Sequence, residues 1–262
     1  MPNLSFRSNK KELIDDLELD NDALRENLEE LAIINKYLGG NQVTISGLKK
    51  LLLNLDSPDF RIDGLKQENN PVISKSDESK FRQLNNSPIT IADLGCGGGD
   101  MLMVMADWAK KKGIDAQFIG IDANDFMIDF AKSRTANCQN INYLHQNIFS
   151  EEFKKHSFDI VTMTLFCHHF EDEALIKILQ QFRKQTRLGV VINDIHRHWF
   201  AYHSIAWITK FFFKSYLVKN DAKLSVWRAF RRKDLENIIQ KAGYTNYSIR
   251  WKWAFRWEVV LM

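Results

Sequence analysis

The chain has 262 residues, enough for one large core with an appendage rather than for two full domains. Its 36 basic and 33 acidic residues leave a formal charge of only +3, which argues against a dedicated nucleic-acid binder, because such proteins concentrate positive charge more heavily. Cys96, Cys138 and Cys167 are widely spaced, so neither a disulfide framework nor a zinc site is expected. Residues 1–11 lack the apolar segment of a signal peptide, and the expected compartment is the cytosol.

Residues 1–55 read as helical. Asp22 can cap a helix carrying Leu24, Leu28, Leu31 and Ala32 on one face, and Ser46 can cap a second with Leu48, Leu51, Leu52 and Leu55. Residues 56–88 are polar, contain Pro58 and Pro71, and hold too few apolar side chains for a core of their own. They read as a linker or surface excursion.

From Ile89 the chain alternates strand and helix, the signature of a parallel sheet. Residues 89–94 are a short β-branched run, ended by Gly95, Gly97, Gly98 and Gly99 and followed by helical periodicity over 101–112. Strands are expected at 118–122, 141–144, 158–165 and 190–193, with helices over 125–134 and 171–186. Residues 199–218 are unusually aromatic but interrupted by His203, Lys210 and Lys214, which argues against a membrane span. They read as a lid over an apolar pocket, with an interfacial membrane-touching helix or simple core packing as rivals. Val226 to Phe230 is expected to return the chain to the sheet. After a short helix over 234–242, Tyr247, Ile249, Trp251, Trp253, Phe255, Trp257 and Val259 alternate with polar residues. That pattern predicts two paired strands with the aromatics on one buried face.

Two acids frame the glycines. Asp93 sits on the first strand just before the first glycine, where a carboxylate would repel a pyrophosphate and suit a ligand with a cationic end. Asp122 ends the second strand at the spacing of an acid that accepts hydrogen bonds from ribose hydroxyls. Together they point to a nucleoside with a positively charged tail.

Residues 89–100, with Asp122 and Phe158-Asp159-Ile160-Val161, resemble the ordered motifs of class I S-adenosylmethionine-dependent methyltransferases. Arg7 to Asp16 together with 34–40 also resembles bacterial methyltransferases associated with polyketide-type biosynthesis. The resemblance implies an α/β fold: a three-layer Rossmann-like sheet of about seven strands, mostly parallel with an antiparallel C-terminal strand. A helical cap (1–55), the polar stretch (56–88) and a methyltransferase domain (89–262) with lid insertion 199–230 complete it. The cap helices either lie over the cofactor mouth or pack on the core for stability. The cofactor implied is S-adenosylmethionine, leaving as S-adenosylhomocysteine, held by Asp93, Gly95, Cys96, Gly97, Gly99, Asp122, Ala123, Asn147, Ile148 and Thr164. Asn147 stands where the family commonly has an acid for the adenine amino group; it either accepts that bond through its amide or simply ends a strand.

Ligands bind beyond the carboxyl ends of strands in such sheets, so His168, His169, Asp194, His196 and His198 are expected near the reacting methyl. A hydroxyl acceptor must lose a proton, and His168, His169, His196 and His198 are the candidate bases. No metal is expected. Families that methylate exocyclic amino groups of bases carry an Asn-Pro-Pro-Tyr-type tetrapeptide where Thr164-Leu165-Phe166-Cys167 stands here. A small, largely apolar acceptor is therefore expected, a phenol, quinone precursor or polyketide, with oxygen preferred over carbon. A nucleic-acid or protein methyltransferase and a non-catalytic cofactor-binding protein are the alternatives. Peripheral membrane contact through 199–218 is a further possibility for partners.

Overall fold

A computed structural model describes residues 2–16, 21–55 and 87–262. The stretch read as a linker, apart from Ser87 and Pro88, lies outside the described residues. The elements are α1 (Asn21–Tyr37), α2 (Gly40–Leu55), β1 (Ile89–Leu94), α3 (Asp100–Lys112), β2 (Ala116–Asp122), α4 (Asp125–Arg134) and β3 (Ile141–His145). Then come β4 (Phe158–Thr164), α5 (Asp172–Gln185), β5 (Thr186–Ile195), α6 (Trp199–Phe212), α7 (Tyr216–Arg228), α8 (Arg232–Lys241), β6 (Tyr247–Lys252) and β7 (Arg256–Leu261).

The seven strands form one sheet in the order β3-β2-β1-β4-β5-β7-β6, in which β7 runs antiparallel to both its neighbours. Successive strand residues face opposite layers. Ala92, Leu94, Val161 and Val190 join a core with Leu175, Ile178, Leu179 and Phe182 of α5 and Leu235, Ile238 and Ile239 of α8. Ile91, Ile160 and Val191 join the opposite core with Leu48 and Leu51 of α2 and Leu102, Met105 and Ala109 of α3. Three layers result. The strand order reverses between β1 and β4, and the crevice beyond their carboxyl ends is where this topology opens a site.

Four sequence expectations are corrected. The second helix starts at Gly40 rather than near Ser46, because Val43 and Ile45 extend its buried stripe by a turn. β5 begins at Thr186 rather than 190: Thr186 turns to extended backbone, its hydroxyl bonds the Phe182 carbonyl, and it pairs with Phe158 across a register shift. Val226 to Arg228 belong to α7, and the return to the sheet is a single bridge between Phe230 and His196. The C-terminal alternation also fails. β7 lies between β5 and β6 and is buried along its whole length, whereas Trp251 and Trp253 are exposed. An interior strand is covered on both faces, so its polar members need partners rather than solvent. Glu258 accepts from Lys50 and, at 2.9 Å, pairs with Lys252, while Arg256 donates to Asn35 Oδ1 at 2.8 Å.

Candidate active site

A cavity of about 710 Å³ opens at the crevice, within the range of small-molecule sites. Its floor is the bend after β1. Gly95 has φ +63° and an added Cβ would stand 2.3 Å from the Phe166 ring, so both conformation and space demand glycine there. Gly97, at φ +48°, aims its N–H at Asp122 Oδ2 over 3.0 Å, and Asn124 N–H binds the other Asp122 oxygen at 3.0 Å. The bend is bare backbone with a carboxylate fixed against it.

Asp93 and Asp122 line the same cavity. Burial pushes the Asp93 carboxyl up to about 7; the Thr162 hydroxyl, donating at 2.7 Å, opposes this and the Asp122 charge adds to it. Burial also raises Asp122, partly offset by the N–H groups of Asn124, Gly97 and Ala123. Burial is the main cause at both acids, and a positively charged ligand beside Asp93 would favour its ionised form. Burial holds the Cys96 thiol well above its ordinary range, with the two acids adding to the effect, so it stays neutral.

Ala123, Asn147, Ile148 and Thr164 also line the cavity. Asn147 Oδ1 accepts from the Phe149 N–H at 2.9 Å, which leaves its second lone pair for another donor. Gly99 is not in the described wall: it stands at the N-cap of α3, and a Cβ there would meet the Tyr143 hydroxyl at 2.6 Å.

The histidines separate into two pairs. His168 and His169 sit on the short turn Cys167–His169 after β4 and face the cavity. The His168 ring is buried, with Nδ1 2.8 Å from Asp194 Oδ1. Burial raises Asp194, but the His168 charge, the hydrogen bond from His168 and the Ile195 N–H outweigh it and hold the carboxyl below its ordinary value. An ionised Asp194 only accepts, so Nδ1 carries the proton and Nε2 is left as the basic nitrogen. His169 Nδ1 lies 2.6 Å from Asp15 Oδ1; burial lowers the ring, but this bond and the charges of Glu12 and Asp15 raise it overall.

His196 and His198, expected at the site, do not line it. Beyond β5 the chain bridges to Phe230, which carries His196 onto Trp257 with ring centroids 4.9 Å apart. Burial, then the charges of His198, Arg231 and Arg197, press His196 down to about 4. His198 Nδ1 accepts from Phe200 N–H and caps α6.

The N-terminal segment, singled out in the sequence only by its resemblance over Arg7 to Asp16, supplies Glu12 and Asp15, to which the sequence assigned no role. Glu12 is buried beside His168, with Oε1 3.6 Å from His168 Nε2 and 3.6 Å from Arg228 Nε. Its Oε2 accepts from Ser225 at 2.7 Å, whereas Oε1 lacks a hydrogen-bond partner. Arg228 binds the His168 carbonyl at 3.0 Å, the His169 carbonyl and Asp15 Oδ2. Donor atoms of Glu12, His168 and His169 lie within 4.8 Å of one another, but the Arg228 guanidinium already supplies a cation at Glu12, and we assign no metal to them. Above the site, α1 contributes Leu28, Leu31 and Ile34 to the wall, Leu38 follows just beyond that helix, and α6 and α7 contribute Ile205, Ile208 and Val218. Leu165 (φ +54°) and Phe255 (φ +58°) line the cavity in left-handed backbone that bulky residues rarely adopt.

Residues 91–189 match the family model described as a methyltransferase domain. A demethylmenaquinone methyltransferase of Staphylococcus aureus is 22% identical over 168 residues, covering 60% of this chain and 68% of the relative. Among solved structures, the plantazolicin methyltransferase in complex with SAH superposes with TM-score 0.51 at 16% identity, covering 91% of this chain and 98% of that one. The citrinin polyketide synthase CMeT domain gives 0.52 at 12% identity, covering 71% of this chain and about half, 51%, of the other. Residues 91–189 thus match a methyltransferase domain within a Rossmann-like sheet, and the chain is an S-adenosylmethionine-dependent methyltransferase.

Proposed function

We propose that the enzyme methylates a small, largely apolar acceptor, a phenol, quinone precursor or polyketide, on oxygen in preference to carbon, with His168 as general base. The observation that carries this reading is the Asp194–His168 pair on the cavity wall, its Nδ1 tied to a carboxylate and its Nε2 next to a hydrogen-bond-deficient Glu12 oxygen. A hydroxyl has one proton to give, and in this reading it donates it to His168 Nε2, while Glu12 Oε1, 3.6 Å from that nitrogen, stabilises the imidazolium that results. The apolar side chains of α1, α6 and α7 around the cavity support an apolar acceptor, and the name of the S. aureus relative makes a quinol-type ring a natural member of the class.

S-adenosylmethionine, when bound, supplies an electrophilic methyl group on a sulfonium. In this reading Asp122 would accept from the ribose hydroxyls, and the backbone of Gly95, Cys96 and Gly97 would pass close to the cationic tail near Asp93, with Gly99 set outside the wall. Ala123, Asn147, Ile148 and Thr164 surround the nucleoside. The bare bend and the two buried acids beside it support this fit. His168 Nε2 would take the proton of the acceptor hydroxyl, leaving its oxygen as the nucleophile. Positioning of the two reactants contributes several kcal/mol. The helices of 1–55 serve as the cap and 199–230 as the lid.

Titration of the purified chain with S-adenosylhomocysteine, followed by turnover on phenolic, quinone-precursor, polyketide and RNA acceptors, tests the reading. Methylation of phenolic or polyketide hydroxyls is the expected result; turnover on RNA alone, or cofactor binding with no turnover on any acceptor, overturns it. Asp122→Ala should weaken S-adenosylhomocysteine binding strongly with the fold intact, and an unchanged Kd would remove the ribose assignment.

A further inference from the structure

The helix that walls the cavity is aromatic on its outer side as well. Trp207, Phe211 and Phe212 of α6 are 69%, 61% and 80% exposed, and Trp199, Tyr216, Trp251 and Trp253 are also exposed. The rings at one end run on without a break: Trp199 meets Phe200 at 5.6 Å, Phe200 meets Phe255 at 5.8 Å, and Phe255 meets Trp251 at 6.1 Å. Trp207 and Phe211 make a second contact at 5.1 Å further along α6. Contiguous apolar surface of this kind marks an interaction site.

Charge identifies the occupant. From His196 to Asn220 the chain has no acidic residue, while Lys210 and Lys214 are exposed beside the aromatics and Arg250 is exposed on the neighbouring strand. A helix with Trp and Phe on its outer side and lysines at its rim has the composition of an interfacial helix, whose rings enter the headgroup region and whose cations meet anionic lipid. A second copy of this chain on a two-fold axis would set these lysines against themselves. Among the described residues no helix is long and apolar enough to cross a membrane, so the contact is with its surface.

The same two elements form the cavity wall: Ser204, Ile205 and Ile208 of α6 face inward, as do Ala254 and Phe255 of the β6–β7 turn. We propose that the outer face of α6 and the β6–β7 turn dock on an anionic bilayer, so that an acceptor dissolved in the membrane enters the cavity between them. Docking stands on the surface alone; delivery of the acceptor rests on the function proposed above.

The test is sedimentation of the full chain with phosphatidylcholine vesicles, with and without phosphatidylglycerol, together with S-adenosylhomocysteine titration. Wild type should sediment with the anionic vesicles. The triple variant Trp207→Ser, Phe211→Ser, Phe212→Ser should lose at least about tenfold in partitioning with its S-adenosylhomocysteine affinity unchanged, since none of the three lines the cavity. Lys210→Glu with Lys214→Glu should weaken binding to anionic vesicles only. Wild type that stays in the supernatant, a triple variant that sediments like wild type, or a dimer in light scattering that the triple variant dissolves would each overturn docking. Vesicle binding without turnover on any apolar acceptor would remove the acceptor reading and the delivery step, and leave docking in place.

Discussion

Asp93 concentrates the chemistry of the site at the scale of one residue. Its carboxyl is raised to about 7, mainly by burial, whereas an unfolded aspartate titrates near 4. Ionising it therefore costs the ligand-free fold stability, and that loss accrues as pH rises from about 4 to about 7. A bound cation reverses the preference and pulls the pKa down. S-adenosylmethionine affinity should therefore fall as pH is lowered from about 8 to about 6, while Asp93→Asn should bind more weakly and with a flatter profile. Calorimetric titration across that range checks both. An Asn variant with the wild-type slope would assign the titration to another group.

His168 is the second residue on which the proposed chemistry turns. His168→Ala should lower kcat by about 10²–10⁴-fold with S-adenosylhomocysteine affinity retained. Asp194→Asn should lower kcat while KM changes little, because the amide no longer holds the tautomer that leaves Nε2 basic. Steady-state kinetics on a responsive acceptor separates kcat from KM. Equal loss in cofactor affinity would show that both changes disturb the fold around Thr164 rather than the proton transfer.

Among elements, the bend after β1 separates conformational strain from steric exclusion. Gly95 and Gly113 both have φ between +60° and +70°, at +63° and +67°, but a Cβ at Gly95 would strike Phe166 whereas nothing lies within 4 Å at Gly113. Gly113→Ala should cost about 1 kcal/mol, the left-handed penalty alone. Gly95→Ala should cost roughly 1–3 kcal/mol more, because the Phe166 ring meets the Phe170 ring edge-on, with centroids 4.9 Å apart, and has little room to retreat. Urea unfolding of the two variants measures the difference, and equal costs would mean that the ring relaxes freely.

This bend and the elements around it were legible in the primary structure. Residues 89–94 and 125–134 emerge with the expected bounds, since a β-branched run ending in glycines and a capped amphipathic turn are local signals. The C-terminal hairpin was half legible. Its two strands were expected, but the burial of Arg256 and Glu258 follows from β7 entering the sheet interior, which the alternation of Trp and Arg does not reveal.

At the scale of the whole molecule, the histidine turn is held from a distance. Arg228, from the end of α7, binds two carbonyls of that turn and the Asp15 carboxylate, while Arg7 donates to Phe170 O at 2.8 Å and pairs with Asp172. Arg228→Lys should destabilise the fold by roughly 2–4 kcal/mol, because one ammonium cannot serve all of these acceptors and leaves buried oxygens without donors. It should also reduce turnover through loss of the His168 orientation. Thermal unfolding with parallel kinetics checks this, and a variant with unchanged Tm would show that water replaces the guanidinium.

The sequence by itself determined the strands, the glycine bend and the two acids beside it, because each depends on neighbours within one strand–turn–helix unit. Only the tertiary structure decided which histidines reach the cavity, and that Glu12, Asp15 and Arg228 gather around them. Those contacts join positions more than 150 residues apart in the case of Glu12 and His168, and hydrogen bonds between distant segments leave no periodicity in either. His196 and His198 illustrate the same limit from the other side: strand-end position put them at the site on paper, and one bridge to Phe230 took them away from its wall.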